Sequence, residues 1–321
     1  MADEKDRARP PPEPNLTAET DKAGPKKTSG KMPRTLRGRF ELVEEIGRGG
    51  LSRVYRARDL VAVKAGLSQT SVAVKVMTAG PEVGDDIISL MHREARRLRD
   101  LIHPNIVRVY DIDSEGRLHF MVMEYLEGRS LAKVLRETEG HRLHPPQVDR
   151  LVRDVAAALH FSHHCGIVHS DLKPANIFIE TNGRVKLIDF NIAYPVARPI
   201  KISEEDTVAI LARLGALTPA YASPQRLQGA EPSSGDDVFS LGLVAFIALT
   251  GRRPFESKDA SEAIAANEMI KRPEGLSWWR WQALSAALKL DDAKRLSDAQ
   301  LFARLFTGGP WAQTAWRLGL R

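Results

Sequence analysis

The sequence has a single cysteine, Cys165, and no long uninterrupted hydrophobic run. One cysteine excludes a disulfide within the chain and fits a reducing compartment. The longest apolar stretch, residues 238–249, contains Ser240 and Gly242 and is too short to cross a bilayer. The first residues, MADEKDRARPPPEP, lack the apolar core of a secretory signal. We therefore expect a cytoplasmic protein without a membrane anchor.

The first 36 residues have almost no large apolar side chains. They are rich in proline, lysine, glutamate, threonine and glycine, so they cannot bury enough surface to offset the entropy of ordering. We interpret residues 1–36 as a disordered tail, and a flexible leader fits this composition better than a docking arm.

The rest of the composition is that of a globular protein, with 43% hydrophobic and 27% charged residues in the chain as a whole. The net charge of +6 permits anionic partners. This charge is spread along the chain, and no nucleic-acid-binding module is recognisable, so nucleic acid is not an expected partner.

The hydrophobic patterns predict two lobes. Strand-like runs occupy residues 37–124, at 40–46, 72–77, 106–110 and 120–123, with one helix predicted over 85–101. Residues 125–307 are mostly helical, and one helical face carries Val148, Leu151, Val152, Val155 and Leu159. An α+β fold with a small strand-rich N-lobe and a larger helical C-lobe follows, and a cleft between lobes commonly binds a ligand.

Residues 308–321 form a predicted C-terminal extension. Gly308, Gly309 and Pro310 should end the last helix of the C-lobe. We expect the apolar side chains that follow to pack back on this lobe, although a partner-binding extension is an alternative: Trp311, Trp316, Leu318 and Leu320.

Glycines follow the first predicted strand, at Gly47, Gly49 and Gly50. They would let backbone N–H groups approach phosphate oxygens without obstruction. Alone the pattern is weak, because a plain hairpin also carries such glycines.

Two segments offer a phosphate-binding lysine, since Val-Ala-Val-Lys ends at both Lys64 and Lys75. The strand after Val54 must fold back so that the lysine returns to the level of the glycine loop. The turn should therefore lie midway between Val54 and the lysine. For Lys75 the midpoint falls at Ala65-Gly66, which suits a turn. For Lys64 it falls at Asp59-Leu60, which has no glycine and leaves very short strands, so we choose Lys75.

Several carboxylates are candidates for chemistry. Glu94, in the predicted helix, could pair with the lysine, although most helical glutamates are simply solvated. Asp171 can accept the proton of an attacking hydroxyl, and Lys173 can steady a transferring phosphate. The amide oxygen of Asn176 and the carboxylate of Asp189 suit Mg²⁺. Each carboxylate alone could be a turn residue or a cap, but the order and spacing of the whole set are hard to explain by such structural roles.

In this order the motifs resemble those of the eukaryotic-like Ser/Thr protein kinases that many bacteria carry, from about residue 38 to 307. Further segments fall in family order: His103–Val107, Met123–Leu126, Asp189-Phe190, Thr218–Tyr221, Asp237–Gly242 and Thr250–Phe255. The resemblance implies the bilobal protein kinase fold. It also implies transfer of the γ-phosphoryl group of ATP to hydroxyls of protein substrates with Mg²⁺ or Mn²⁺.

The resemblance implies catalytic roles. Lys75 would hold the α- and β-phosphates and pair with Glu94. Asp171 would be the catalytic base, Lys173 would contact the γ-phosphate, and Thr218 would hydrogen-bond near both. The metal ligands would be Asn176 and Asp189.

The resemblance also implies a nucleotide site. The glycine loop would cover the phosphates, and Val54, Ala73 and Phe178 would sandwich adenine. Backbone groups of the hinge residues Glu124 and Leu126 would meet the edge of adenine. The side chain of Met123 would guard a pocket behind it. An apolar column would couple the helix of Glu94 to the catalytic loop: Leu98, His169 and Phe190.

Four positions depart from the family pattern. Ser52 replaces a glycine of the glycine loop, and Asn191 replaces the glycine after Asp189-Phe190. Ser170 replaces an arginine that binds a phosphorylated activation loop in family members. Gln225 replaces a glutamate, so its ion pair with Arg295 would become a neutral hydrogen bond. None removes a group that touches phosphate, metal or proton. An active kinase whose activity needs no activation-loop phosphorylation is the main hypothesis, and an ATP-binding pseudokinase is the alternative.

A histidine-rich segment invites a zinc interpretation: His160, His163, His164, Cys165 and His169. Kinases often have histidines where a helix leads into the catalytic loop, so we prefer that reading.

Overall fold

The computed structural model describes residues 34–49, 52–78, 96–190 and 218–317. Its N-terminal part contains a six-stranded antiparallel sheet with the strand order β1-β2-β3-β4-β6-β5. The strands are β1 (Thr35–Leu36), β2 (Phe40–Arg48), β3 (Ser52–Asp59), β4 (Ser71–Thr78), β5 (Val109–Glu115) and β6 (Leu118–Glu124). The strand-rich small lobe is therefore confirmed.

The two edges of this sheet meet. Arg37, which follows β1, donates from its backbone N–H to Glu115 Oε2 at 2.6 Å and from Nε to Asp113 Oδ2 at 2.8 Å, both on β5. Leu36 is fully buried. Thr35 and Leu36, predicted to be part of the tail, instead belong to the sheet, because they pair with β2 and Leu36 is buried. Residues 1–33 of the predicted tail lie outside the described residues.

The connection from β3 to β4 contains a short helix, α1 (Leu60–Lys64). Asp59 caps it, since Asp59 Oδ1 accepts a hydrogen bond from the Val61 N–H at 3.0 Å. The turn expected at Ala65-Gly66 follows this helix, and Gly66 has a φ of +69°. The helix was not predicted because the apolar residues before Lys64 read equally well as a strand.

The C-terminal part is mainly helical. Its described helices, with residues 96–99 as α2, are α3 (Leu131–Glu137), α4 (Pro145–His164), α5 (Pro224–Leu227), α6 (Ser234–Thr250), α7 (Ala260–Ala265), α8 (Trp278–Ala287), α9 (Ala299–Thr307) and α10 (Gly309–Arg317). A small sheet has the order β7-β8-β9, formed by Gly128–Ser130, Ile177–Glu180 and Val185–Leu187. The part of the predicted 85–101 helix before residue 96 lies outside the described residues.

The core of the large lobe lies between α4, α6 and α9. The predicted apolar face of α4 is at most 2% exposed, at Val148, Leu151, Val152, Val155 and Leu159. Helix α6 is apolar on most of its surface and is almost entirely buried. Among the described residues, no helix is both long and apolar enough to span a membrane.

Two local predictions are wrong. The strand expected over 106–110 begins only at Val109, because the Val107 N–H bonds the Leu187 carbonyl of β9 at 2.9 Å instead of joining the large sheet. Trp311 is 84% exposed, so it does not pack on the C-lobe. Helix α10 starts two residues after α9 ends, and its first turn directs Trp311 to solvent. The Trp316 side chain, Leu318 and Leu320 lie outside the described residues.

The end of α6 gives a stability prediction. Gly251 caps this helix with a φ of +72°, and a Cβ there would overlap the carbonyl oxygen of Gly140. Gly275 has a φ of +76° but no atom within 4 Å of an added Cβ. We expect Gly251→Ala to lower the free energy of unfolding by about 2–4 kcal/mol and Gly275→Ala by about 1 kcal/mol. Denaturant unfolding measures both, and equal losses would contradict the proposed overlap.

Candidate active site

Strand register brings Lys75 beside the glycine loop. Gly47 of β2 pairs with Val54 of β3, and Val54 pairs on its other side with Lys75 of β4. The Gly49 N–H donates to the Ser52 carbonyl at 2.8 Å and closes the described part of the loop. Lys64 instead lies exposed in α1. Gly50 lies outside the described residues, so its phosphate contact stays a prediction.

Lys75 Nζ forms an ion pair with Asp189 Oδ1 at 2.8 Å. The side chains are 19% and 36% exposed, respectively. Burial raises the pKa of Asp189, but the Lys75 ammonium outweighs it, so the pKa of Asp189 lies below its usual value. Glu94 lies outside the described residues, and its pairing with Lys75 stays a prediction.

The backbone of Asp189 is in the left-handed region, with a φ of +58°. This region costs a non-glycine residue about 1–2 kcal/mol, so neighbouring contacts must hold it. The Ile188 N–H donates to the Asn176 carbonyl at 3.0 Å, and His169 Nε2 donates to the Ile188 carbonyl at 3.0 Å. Hydrogen bonds to the backbone N–H and carbonyl of Ile188 thus fix the residue before Asp189.

The catalytic candidates of the loop after α4 lie in one cluster. Asp171 Oδ2 accepts from Lys173 Nζ at 2.9 Å and from Asn176 Nδ2 at 3.2 Å. Asn176 Nδ2 also donates to the Asp171 carbonyl at 2.8 Å. Lys173 Nζ donates to Thr218 Oγ1 at 2.5 Å, the contact that was expected of Thr218. The Lys173 ammonium and the Asn176 amide therefore both contact the Asp171 carboxylate.

A buried carboxylate of α6 organises the backbone before this cluster. Asp237 is 1% exposed. Its Oδ2 accepts from the His169 N–H and from His163 Nε2, both at 2.8 Å, and its Oδ1 accepts from the Ser170 N–H at 2.9 Å. Ser170 has a φ of +66°. Asp237 was predicted only as part of a motif, although its place directly before the longest apolar run was a signal for a buried role.

A cluster of apolar side chains adjoins the ion pair. Its buried members are Ala73, Val107 and Met123, with Val54, Leu126 and Ile188 packed against them. Val107 and Ile188 were not predicted to belong to this cluster. Only their positions in the sequence could have indicated it, since Val107 ends the His103–Val107 motif and Ile188 precedes Asp189. Phe178 is half-buried on β8 and is not part of this cluster.

Met123 lines a small cavity of about 20 Å³, which also borders Lys75, Asp189, Leu98 and Phe190. The His169 and Phe190 rings are 4.6 Å apart. The predicted column of Leu98, His169 and Phe190 is buried, with exposures of 8%, 0% and 6%.

A model of the protein kinase domain matches residues 40–307 of this sequence. The chain belongs to the protein kinase family. It is 31% identical over 243 residues to the serine/threonine-protein kinase PrkC of Bacillus subtilis, covering 76% of this chain and 35% of that protein. It is 37% identical over 256 residues to the serine/threonine-protein kinase PknB of Mycobacterium tuberculosis, covering 76% of this chain and 38% of that protein. The chain thus spans little more than a third of the length of these curated relatives.

The kinase fold is also found in solved structures. The crystal structure of the Mycobacterium tuberculosis PknI kinase domain superposes with a TM-score of 0.62 at 22% identity, covering 86% of this chain and 98% of that chain. The predicted bilobal kinase fold is confirmed.

Glu124, a predicted hinge residue, contacts the strand before Asp189. Lys186 Nζ lies 2.5 Å from Glu124 Oε1, and the Arg108 N–H donates to the same oxygen at 2.7 Å. Among the described residues, no backbone hydrogen bond involves the N–H or carbonyl of Leu126. Lys186 was not predicted, because only the fold brings it to Glu124.

The departures from the kinase pattern are partly described. Gln225 Oε1 accepts from Arg295 Nη2 at 2.6 Å, the neutral hydrogen bond that was expected. Ser170 contributes its backbone to Asp237, and its hydroxyl lies 3.5 Å from the Val168 carbonyl. Asn191 and the rest of the segment to residue 217 lie outside the described residues.

The histidines near the catalytic loop have protein partners. His163 Nε2 binds Asp237, and His164 Nδ1 donates to the His160 carbonyl at 2.8 Å. In the described part of the chain, no group of three or more His, Cys, Asp or Glu side chains is placed to hold a metal.

The hinge ion pair gives a second prediction. The Lys186 side chain is 8% exposed, whereas that of Lys133 is 54% exposed and its Nζ lies 4.0 Å from Glu137. We expect Lys186→Met to cost about 3 kcal/mol of unfolding free energy, because it leaves Glu124 without its ammonium. Lys133→Met is the matched control and should change stability by about 0.5 kcal/mol or less. Thermal and denaturant unfolding test this, and similar values for the two variants would refute it.

Proposed function

We propose that this chain transfers the γ-phosphoryl group of ATP to Ser or Thr hydroxyls of protein substrates, with Mg²⁺ or Mn²⁺ as cofactor. The observation that carries the proposal is the 2.8 Å contact of Lys75 with Asp189 beside the cluster of Asp171, Lys173 and Asn176. The site thus combines cations for phosphate, oxygens for a metal and a carboxylate for a proton.

The chemistry follows from what each side chain can do. Asp171 accepts the proton of the attacking hydroxyl. Lys173, held between Asp171 and Thr218, balances charge on the transferred phosphoryl group. Lys75 holds the phosphates of the nucleotide. Phosphoryl transfer depends mostly on such positioning and charge stabilisation, so few reacting groups are needed.

The oxygens at the site suit a hard divalent cation. Asn176 directs its NH₂ group at Asp171, and no described residue hydrogen-bonds its Oδ1. This oxygen and the Asp189 carboxylate would hold the metal, which neutralises phosphate charge when bound. The family resemblance supports ATP as the nucleotide, with Val54, Ala73 and Phe178 around adenine and backbone groups of Glu124 and Leu126 at its edge.

The alternative is an ATP-binding pseudokinase that regulates a partner. The replacements at Ser52, Ser170, Asn191 and Gln225 favour it. They leave the proposed chemical groups in place, which is why we prefer the active kinase.

Three variants test transfer directly. Purified protein with labelled ATP, Mg²⁺ and generic acceptors should transfer phosphate. Lys75→Met and Asp171→Asn should reduce the rate at least about 100-fold, because they remove the phosphate contact and the base. Lys64→Met is the matched control and should retain activity. Thermal stabilisation by ATP and Mg²⁺ without any transfer by the unmodified protein would instead establish the pseudokinase.

Ser170 leads to a prediction about activation. The family arginine that grips a phosphorylated loop is absent, so Ser203→Ala with Thr207→Ala should leave the rate of transfer within about twofold. Both residues lie outside the described residues. Loss of activity in a double variant that keeps the unfolding temperature of the original protein would reject phosphorylation-independent activity.

A further inference from the structure

Arg295 is a buried cation of the large lobe, with an exposure of 7%. Its Nε donates to the Lys289 carbonyl at 2.7 Å, and its guanidinium carbon lies 5.0 Å from the centre of the Phe239 ring. Burial lowers the pKa of Arg295, and the charge of Asp236 is the largest influence against it. A buried guanidinium needs a nearby carboxylate, and the neutral Gln225 cannot supply one.

Asp236, at the start of α6, supplies this carboxylate. It is 4% exposed, and its Oδ1 lies 3.5 Å from Arg295 Nη1. The same oxygen accepts from Ser223 Oγ at 2.5 Å. Its Oδ2 accepts from the N–H and Oγ of Ser233 at 2.7 and 2.9 Å, which caps the helix. One side chain therefore joins Arg295, Ser223 and the helix start.

Gln225 complements this arrangement. Its Oε1 accepts from Arg295, and its Nε2 donates to the Leu290 carbonyl at 2.9 Å. A carboxylate at position 225 could not donate to Leu290. It would also place a second negative charge at a guanidinium that Asp236 already serves.

We propose that Asp236 has taken over the counter-charge of Arg295 that kinases usually carry at position 225. Through Ser223, Asp236 is the positioning residue that holds residues 218–227 on α6. This segment carries Thr218, the hydrogen-bond partner of Lys173, so its link to transfer rests on the proposed kinase function.

The test is a cycle of Asp236→Asn, Gln225→Glu and the double variant, read by thermal unfolding and by hydrogen exchange of peptides spanning 218–228. Asp236→Asn should lower the unfolding temperature by about 5–10 °C and speed this exchange. Gln225→Glu should lower the unfolding temperature in the original protein but raise it in the Asp236→Asn background, because there it restores the carboxylate.

Asp149→Asn is the matched control, since Asp149 pairs with Arg280 at 2.7 Å elsewhere in the lobe. In that background Gln225→Glu should remain destabilising. Should Asp236→Asn fail to fold, recovery of folded protein in the double variant supports the proposal and continued failure overturns it. The same effect of Gln225→Glu in both backgrounds, or an unchanged unfolding temperature in Asp236→Asn, also overturns it. Unfolding and exchange need no phosphoryl transfer, so a failure of the kinase proposal would be seen separately.

Discussion

The site depends on the ion pair between Lys75 and Asp189, two side chains 114 residues apart. The two side chains are held in position in different ways. Lys75 is placed by antiparallel register within an inner strand, where every neighbour is fixed by backbone hydrogen bonds. Asp189 follows a short strand and has a strained backbone, so its position relies on His169 and Asn176, which bind Ile188. The same two residues adjoin Asp171, so the carboxylates proposed to bind the metal and to accept the proton are positioned together.

Asp237 explains how a loop without regular structure can be held in one conformation. Ser170 has a left-handed backbone, which costs about 1–2 kcal/mol. Hydrogen bonds to a charged acceptor contribute about 1.5–3 kcal/mol each, and Asp237 accepts two from the backbone at His169 and Ser170. The bonds therefore exceed the strain. Because Asp237 belongs to a helix that is almost entirely buried, the loop takes its position from the core of the lobe, and His163 further fixes the carboxylate.

The sequence was informative where local patterns decide structure. Alternation and helical periodicity identified the two lobes and the buried face of α4, and turn chemistry favoured Lys75 over Lys64. It was uninformative where contacts between distant segments decide. Leu36 is fully buried, and Arg37 beside it bonds Asp113 of β5, 76 residues further along the chain. Lys186 meets Glu124, and Asp236 meets Arg295, through folding alone. Trp311 was assigned to the core by its hydrophobicity, which says nothing about the direction in which a short terminal helix turns it.

The departures from the kinase pattern acquire a physical meaning from these contacts. Arg295 retains a carboxylate 3.5 Å away although position 225 is neutral, so the replacement at 225 leaves the buried cation of the large lobe balanced. At position 170 the structure uses the backbone N–H, which any residue except proline provides, so replacement of an arginine there leaves the support of Asp171 intact. Both replacements thus alter how the surroundings are held while Lys75, Asp171, Asn176 and Asp189 keep their contacts.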